Sequence, residues 1–152
     1  MIKLHPALER RNRSTHLISS MLEERRQLFT LLLEVSSINA VEPQEEDMEQ
    51  LDEFCQVLVD YIAAGHFGLY DRITEGKERR QSISELAAEL YPKIESTTQT
   101  ALAFADKYDL NNGSVPDLSK LHEELSFLSE TITGRIEFED KLINELLPNS
   151  IS

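Results

Sequence analysis

Apolar residues recur with the 3.6-residue spacing of amphipathic helices in four long stretches of this chain, and polar, breaker-rich segments separate them. The first stretch opens at Pro6, a residue suited to a first helical turn, and runs to about Ser36. Leu8, Thr15, Ile18, Leu22, Phe29 and Leu33 mark one half of its stripe, and Leu17, Met21, Leu28, Leu32 and Val35 the other. Arg25 stands inside this stripe, where leucine is expected. It can form a core ion pair, or pack its stem and reach water with its head; the pattern alone favours the second. Ser37 to Gln44 predicts the first turn.

The second stretch opens at Pro43, and its early acids Glu45, Glu46 and Asp47 suit the positive end of a helix dipole. Leu51, Phe54, Cys55, Leu58, Ile62, Gly65 and Leu69 form its apolar stripe, which runs through to Ile73. Opposite them on the wheel sits Asp60, with Glu53, Gln56, Ala63, Ala64 and Phe67 around it. Small residues and an aromatic beside an acid predict a face that something covers. Gly65 and Gly68 imply the close approach of another helix.

Ser82 and Glu85 have capping-box spacing and predict the start of the third helix, with Ile83, Leu86, Ala87 and Leu90 inward. Pro92 is expected to break it, and the helix resumes from Ile94 to Leu110 with Ala101, Leu102, Ala105 and Tyr108 inward. Asn111 to Pro116 predicts a turn around Gly113. The fourth helix spans about Pro116 to Leu147 on Leu118, Leu121, Leu125, Leu128, Ile132, Ile136, Ile143 and Leu146, and Glu139 falls inside that stripe. The expected fold is all-α: an antiparallel, up-down-up-down four-helix bundle with helix 3 broken at Pro92. Residues 1–152 are read as one domain, with 148–152 a disordered tail.

Charge changes the picture more than composition does. The net charge is −13, and no Lys or Arg falls between Arg26 and Arg72, an interval holding acids from Glu34 to Asp71. Such a molecule repels nucleic acid and anionic membrane, so direct binding to either is not expected. The charge run serves solubility by itself; joined to Phe67 and the two alanines it points to a basic protein partner. The compact basic cluster Lys77, Arg79 and Arg80 is read as solvated. One cysteine, Cys55, excludes an internal disulfide, and no signal-length or membrane-length apolar run occurs, so a cytoplasmic protein is expected.

Helix bundles also house metals, but none of His5, His16, His66 or His122 has Glu three residues before it, and no HExxH, CxxC, phosphate loop or nucleophile elbow is present. No cofactor, metal or catalytic residue is expected. Cys55 is read as core. His66 and Glu139 stand at similar heights on helices expected to run parallel, and are expected to form a buried hydrogen-bonded pair, joined through Tyr70, with Arg25 the alternative partner of Glu139.

The run Leu51–Ile73, with its Phe54-Cys55-Gln56, Leu58 to Tyr61, Ala64 to Phe67 and Tyr70 to Arg72, resembles the signature helix of the Rsd/AlgQ family of bacterial proteins. The resemblance returns at Arg135, Glu139, Asp140, Lys141, Leu142 and Ile143, around His16 to Arg25, and at Tyr91-Pro92. Family members usually carry Trp in the first helix, where Met21 stands here. The resemblance implies an anti-sigma factor that binds the C-terminal, promoter-recognising domain (region 4) of the housekeeping sigma factor. That domain is a basic helix-turn-helix module, and an acidic helical face can compete with DNA for it. Asp60 would pair with its charge and Phe67 anchor it, with Glu53, Gln56, Ala63 and Ala64 beside them, in a protein acting as a monomer rather than a homodimer. Two other readings stand: an acidic scaffold for another basic or metabolic regulatory protein, and a metal-binding bundle.

Overall fold

The structure is a computed structural model that describes residues 6–74, 81–110 and 116–146. It is an all-α four-helix bundle, and no strand occurs among the described residues. Helix α1 is Pro6–Val35. Helix α2 is Glu45–Gly65, and the chain continues helically through a π-helical turn, His66–Tyr70, and a last turn, Asp71–Thr74. Helix α3 is Gln81–Lys107 and α4 is Leu121–Leu146.

Asp47 receives the Gln44 amide at 2.8 Å and so fastens the start of α2. Before α4, the Asp117 carboxylate accepts the Ser119 amide at 2.9 Å, and Leu121 N–H bonds back to Leu118 O. This side-chain turn competes with helix, so α4 begins at Leu121 and not near Pro116. Ser82 lies inside α3, where Gln81 donates to Glu85 at 2.9 Å. The basic cluster at 77–80, the turn centred on Gly113 and the 148–152 tail lie outside the described residues.

The expected break at Pro92 does not occur: α3 passes through it as one helix. Proline removes only the bond to the carbonyl four residues back, which belongs to Ala88. Both Pro92 and Ala88 are on the exposed side, so solvent can satisfy that carbonyl and the buried side of the ladder is untouched.

Contacts between neighbouring helices descend one as they climb the other. Arg25 meets Asp140 while Ile38, just beyond α1, receives His122 at 2.6 Å. Arg135 meets Thr97 and Thr98 while Lys107 meets Glu124. Phe54 packs edge-on to Phe104 and Tyr70 edge-on to Tyr91. Each helix buries its expected stripe, with Met21, Leu28, Phe54, Leu58, Ile83, Ile94 and Leu128 essentially sealed. Among the expected stripe residues, Thr15, Leu33 and Leu102 are exposed instead. Leu33 is 74% exposed and Leu102 40% exposed, because a stripe as wide as those of α1 and α3 overruns the arc that its neighbours cover.

Candidate functional site

Two polar regions stand out: a sealed charge network inside the bundle and an open acidic face on α2. The network centres on Glu139, which is 0% exposed. Its Oε1 accepts the Tyr61 hydroxyl and, at 3.4 Å, Arg25 Nη2; its Oε2 accepts the Tyr70 hydroxyl at 2.8 Å and Arg135 Nε at 3.1 Å. Arg25 also donates to the Tyr61 hydroxyl at 3.1 Å and to Asp140 at 2.9 Å. Arg135, itself 1% exposed, reaches Thr98 at 2.7 Å and Thr97 at 3.1 Å, while its guanidinium lies over the Tyr70 ring. The two arginines balance Glu139 and Asp140 in charge, which is what makes burial of this carboxylate tolerable. Burial, then the negative charge of Glu139, pushes both tyrosine hydroxyls well above their ordinary range, so each remains a donor.

The expected pair of His66 with Glu139 is absent. His66 is part-exposed; its Nε2 lies 3.5 Å from Asp71 and its ring stacks edge-on against Phe67. Matching height along two helices brought the correct level but not the correct side. The alternative, Arg25, is a partner of Glu139, and the Tyr70 link is present. Arg25 thus forms the ion pair rather than sending its head to water. Tyr61 and Arg135, which complete the network, were not singled out for it by sequence pattern. The available signal was the spacing of Arg135 and Glu139, four residues apart inside one apolar stripe, which places opposite charges on one buried face.

Gly65 explains itself here. A β-carbon on it would stand 2.9 Å from Glu139 Oε2 and 3.3 Å from Arg135 Nη2, so only hydrogen fits between α2 and the network. Gly68 is looser, with Leu17 of α1 at 3.5 Å from such an atom.

On the outer face, Asp60, Glu53 and Gln56 are exposed, and Phe67 presents 66% of its surface to solvent. Ala63 and Ala64 are only half-exposed, and Ala64 packs against the core. Gln56 donates to Asp52 at 2.9 Å, whereas Asp60 makes no hydrogen bond or ion pair among the described residues. Across from it on α1, burial first and Asp60 second hold the Glu24 carboxyl above its usual range, which places the two acids within reach of each other's field. Phe67 lies within the π-helical turn. Cys55 is buried as expected, and burial, then Asp52 and Asp109, push its thiol up to about 12. Among the described residues no group of three His, Cys, Asp or Glu is placed to hold a metal ion, and no helix is long and apolar enough to cross a membrane.

The chain matches, over residues 1–147, the family model described as "Regulator of RNA polymerase sigma(70) subunit, Rsd/AlgQ". It is 31% identical over 147 residues to the "Regulator of sigma D" of Yersinia pseudotuberculosis serotype O:1b (strain IP 31758), covering 93% of this chain and 85% of that protein. It is 34% identical over 155 residues to the protein of the same name from Enterobacter sp. (strain 638), covering 98% and 91% of the two chains. No solved structure matches it.

Proposed function

The chain belongs to the Rsd/AlgQ family of regulators of the RNA polymerase sigma(70) subunit, and from that premise we propose that it binds the C-terminal, promoter-recognising domain of the housekeeping sigma factor. Binding there lowers the association of that factor with RNA polymerase and promoter DNA, with no chemical step on the partner. The observation that carries this reading is the outer face of α2, where Asp60 is exposed and has no partner among the described residues, with Phe67 a large exposed aromatic on the π-helical turn that continues it. A carboxylate already paired within the fold has little to offer a ligand; Asp60 is not so paired among the described residues. A DNA-binding domain displays arginine and lysine where it meets phosphate, so an acidic face occupies the same groups and excludes DNA by competition. Phe67 supplies the apolar contact that electrostatics alone lacks, since interfaces draw most of their affinity from a few buried aromatic and charged anchors.

Titration against an isolated sigma C-terminal domain at two salt concentrations tests the proposal. Asp60→Ala and Phe67→Ala should each weaken binding by about 2 kcal/mol or more, roughly thirtyfold, with helicity unchanged. Charge reversal at Glu45, Glu46 and Asp47 should mainly slow association and flatten its salt dependence. Undiminished affinity in both single variants removes this face from the interface, and the acidic-scaffold reading then takes its place.

A further inference from the structure

Asp60 is also one edge of a groove between α2 and α3. Asp52, Val59 and Asp60 line it from α2, and Leu102, Asp106 and Asp109 from α3 and its C-terminal end; among the described residues no Lys or Arg lines it. Val59 and Leu102 are 39% and 40% exposed, so the carboxylates border an apolar strip open to solvent. Neither Asp60 nor Asp106 pairs with a side chain among the described residues. The thiol of Cys55 beneath the groove senses its negative field, being raised by Asp52 and Asp109 beyond the effect of burial. The groove between α3 and α4 beside exposed Phe127 differs, because Lys107 and Lys120 there face Glu123 and Glu124 and the charges cancel.

We propose that the α2–α3 groove seats a cationic amphipathic helix of the partner, with apolar side chains on Val59 and Leu102 and Lys or Arg side chains directed at Asp52, Asp60 and Asp106. This rests on the sigma-domain reading and deepens it: the partner lies along a groove with a second wall on α3, not across α2 alone. Asp52 and Asp60 are two helical turns apart, about 12 Å, so the occupant needs cations about two turns apart, flanking an apolar stripe. An acidic helix, or nucleic acid itself, meets repulsion along the whole groove, and the groove is therefore selective by exclusion as well as by attraction.

Calorimetric titration of the whole chain against the isolated sigma C-terminal domain tests this, using Asp106→Lys, Leu102→Ala, Asp60→Ala and, as a control for net charge, Glu137→Lys on the exposed side of α4. Circular dichroism verifies that each variant remains helical. Asp106→Lys should weaken binding about tenfold or more, and Leu102→Ala, which changes no charge, by about threefold to tenfold. Glu137→Lys should change it by less than about threefold, the effect of distant screened charge. Equal losses in Asp106→Lys and Glu137→Lys, with none in Leu102→Ala, reduce the effect to net charge and overturn the groove. Full affinity in Asp106→Lys and Leu102→Ala beside a weakened Asp60→Ala also overturns it, yet leaves the sigma-domain reading standing. If the unaltered chain does not bind the domain, the reading fails and this proposal fails with it.

Discussion

Glu139 and Asp60 are carboxylates on facing helices, and their surroundings are opposite. Glu139 is sealed from solvent and accepts hydrogen bonds from Tyr61, Tyr70, Arg25 and Arg135. Asp60 is exposed and accepts none among the described residues. Burial is affordable only for a charge that is fully paired, and a charge that is fully paired is unavailable to a ligand. The first carboxylate therefore serves the register of the helices, and the second remains free for a partner.

The contrast breaks most sharply at Glu139. Glu139→Ala takes the carboxylate from the buried Arg135, the part-buried Arg25 and two tyrosine hydroxyls, and should cost about 3–5 kcal/mol in urea denaturation. Pairing that variant with a change at Arg135 should give strongly non-additive losses, whereas pairing it with a change at His66 should add to within about 0.5 kcal/mol, since His66 lies outside the network. Additivity with Arg135 instead would show that the charges act independently.

Gly65→Ala tests the same region without touching a charge. Its β-carbon would press on Glu139 Oε2 at 2.9 Å, an atom pinned by Tyr70 and Arg135 and unable to swing away. A loss of about 1–3 kcal/mol in thermal denaturation is expected, as for overpacked cores. Alanine at Gly65 without loss would mean that the network is loose.

Alkaline pH reads the tyrosines. The hydroxyls of Tyr61 and Tyr70 are raised above the value of about 10 that they regain on unfolding. The unfolded chain then loses protons that the folded one keeps, so their contribution to stability is whole below pH 10 and falls as pH rises beyond it. The slope approaches about 1.4 kcal/mol per pH unit for each tyrosine. Ultraviolet titration should show these two ionising only as the helical signal is lost, and their ionisation in the folded chain would contradict the network.

Small effects sharpen the other side. Gly134 has nothing within 4 Å of a β-carbon, so Gly134→Ala should stabilise α4 by about 0.5–1 kcal/mol, in contrast to Gly65. Asp60→Ala should move stability by less than about 0.5 kcal/mol while weakening binding, the reverse of Glu139→Ala. A clear loss of stability at Asp60 would bring the two carboxylates together and undo the comparison.

Particular residues show how far the chain was legible. The apolar periodicity of Leu51 to Leu69, and of Leu121 to Leu146, carries the helices and most of their buried faces, because backbone geometry imposes it locally. Pro92 was misread because its cost depends on which side of α3 faces water, a property of packing. Arg25 and Glu139 were visible as polar residues in apolar stripes, and the exposure of Asp60 and Phe67 followed from their place opposite one. Of the partners of Glu139, Arg25 and Tyr70 were visible as candidates, whereas Tyr61 and Arg135 were not. Tyr61 and Tyr70 are nine residues apart, about 180° on an uninterrupted α-helical wheel, and no such wheel directs both to one carboxylate. The π-helical turn at His66–Tyr70 adds one residue to a turn and withdraws about 100°, bringing the two hydroxyls to the same side.

The sequence by itself determined four amphipathic helices, the family to which they belong, and a charge distribution that favours basic partners. Tertiary structure alone decided which buried charges meet, how α3 carries its proline, and that Asp60 borders a groove shared with α3. Periodicity is a property of one helix and can be read along the chain. The rotation and height of one helix against another arise from all the packing contacts at once, and those exist only in the folded molecule.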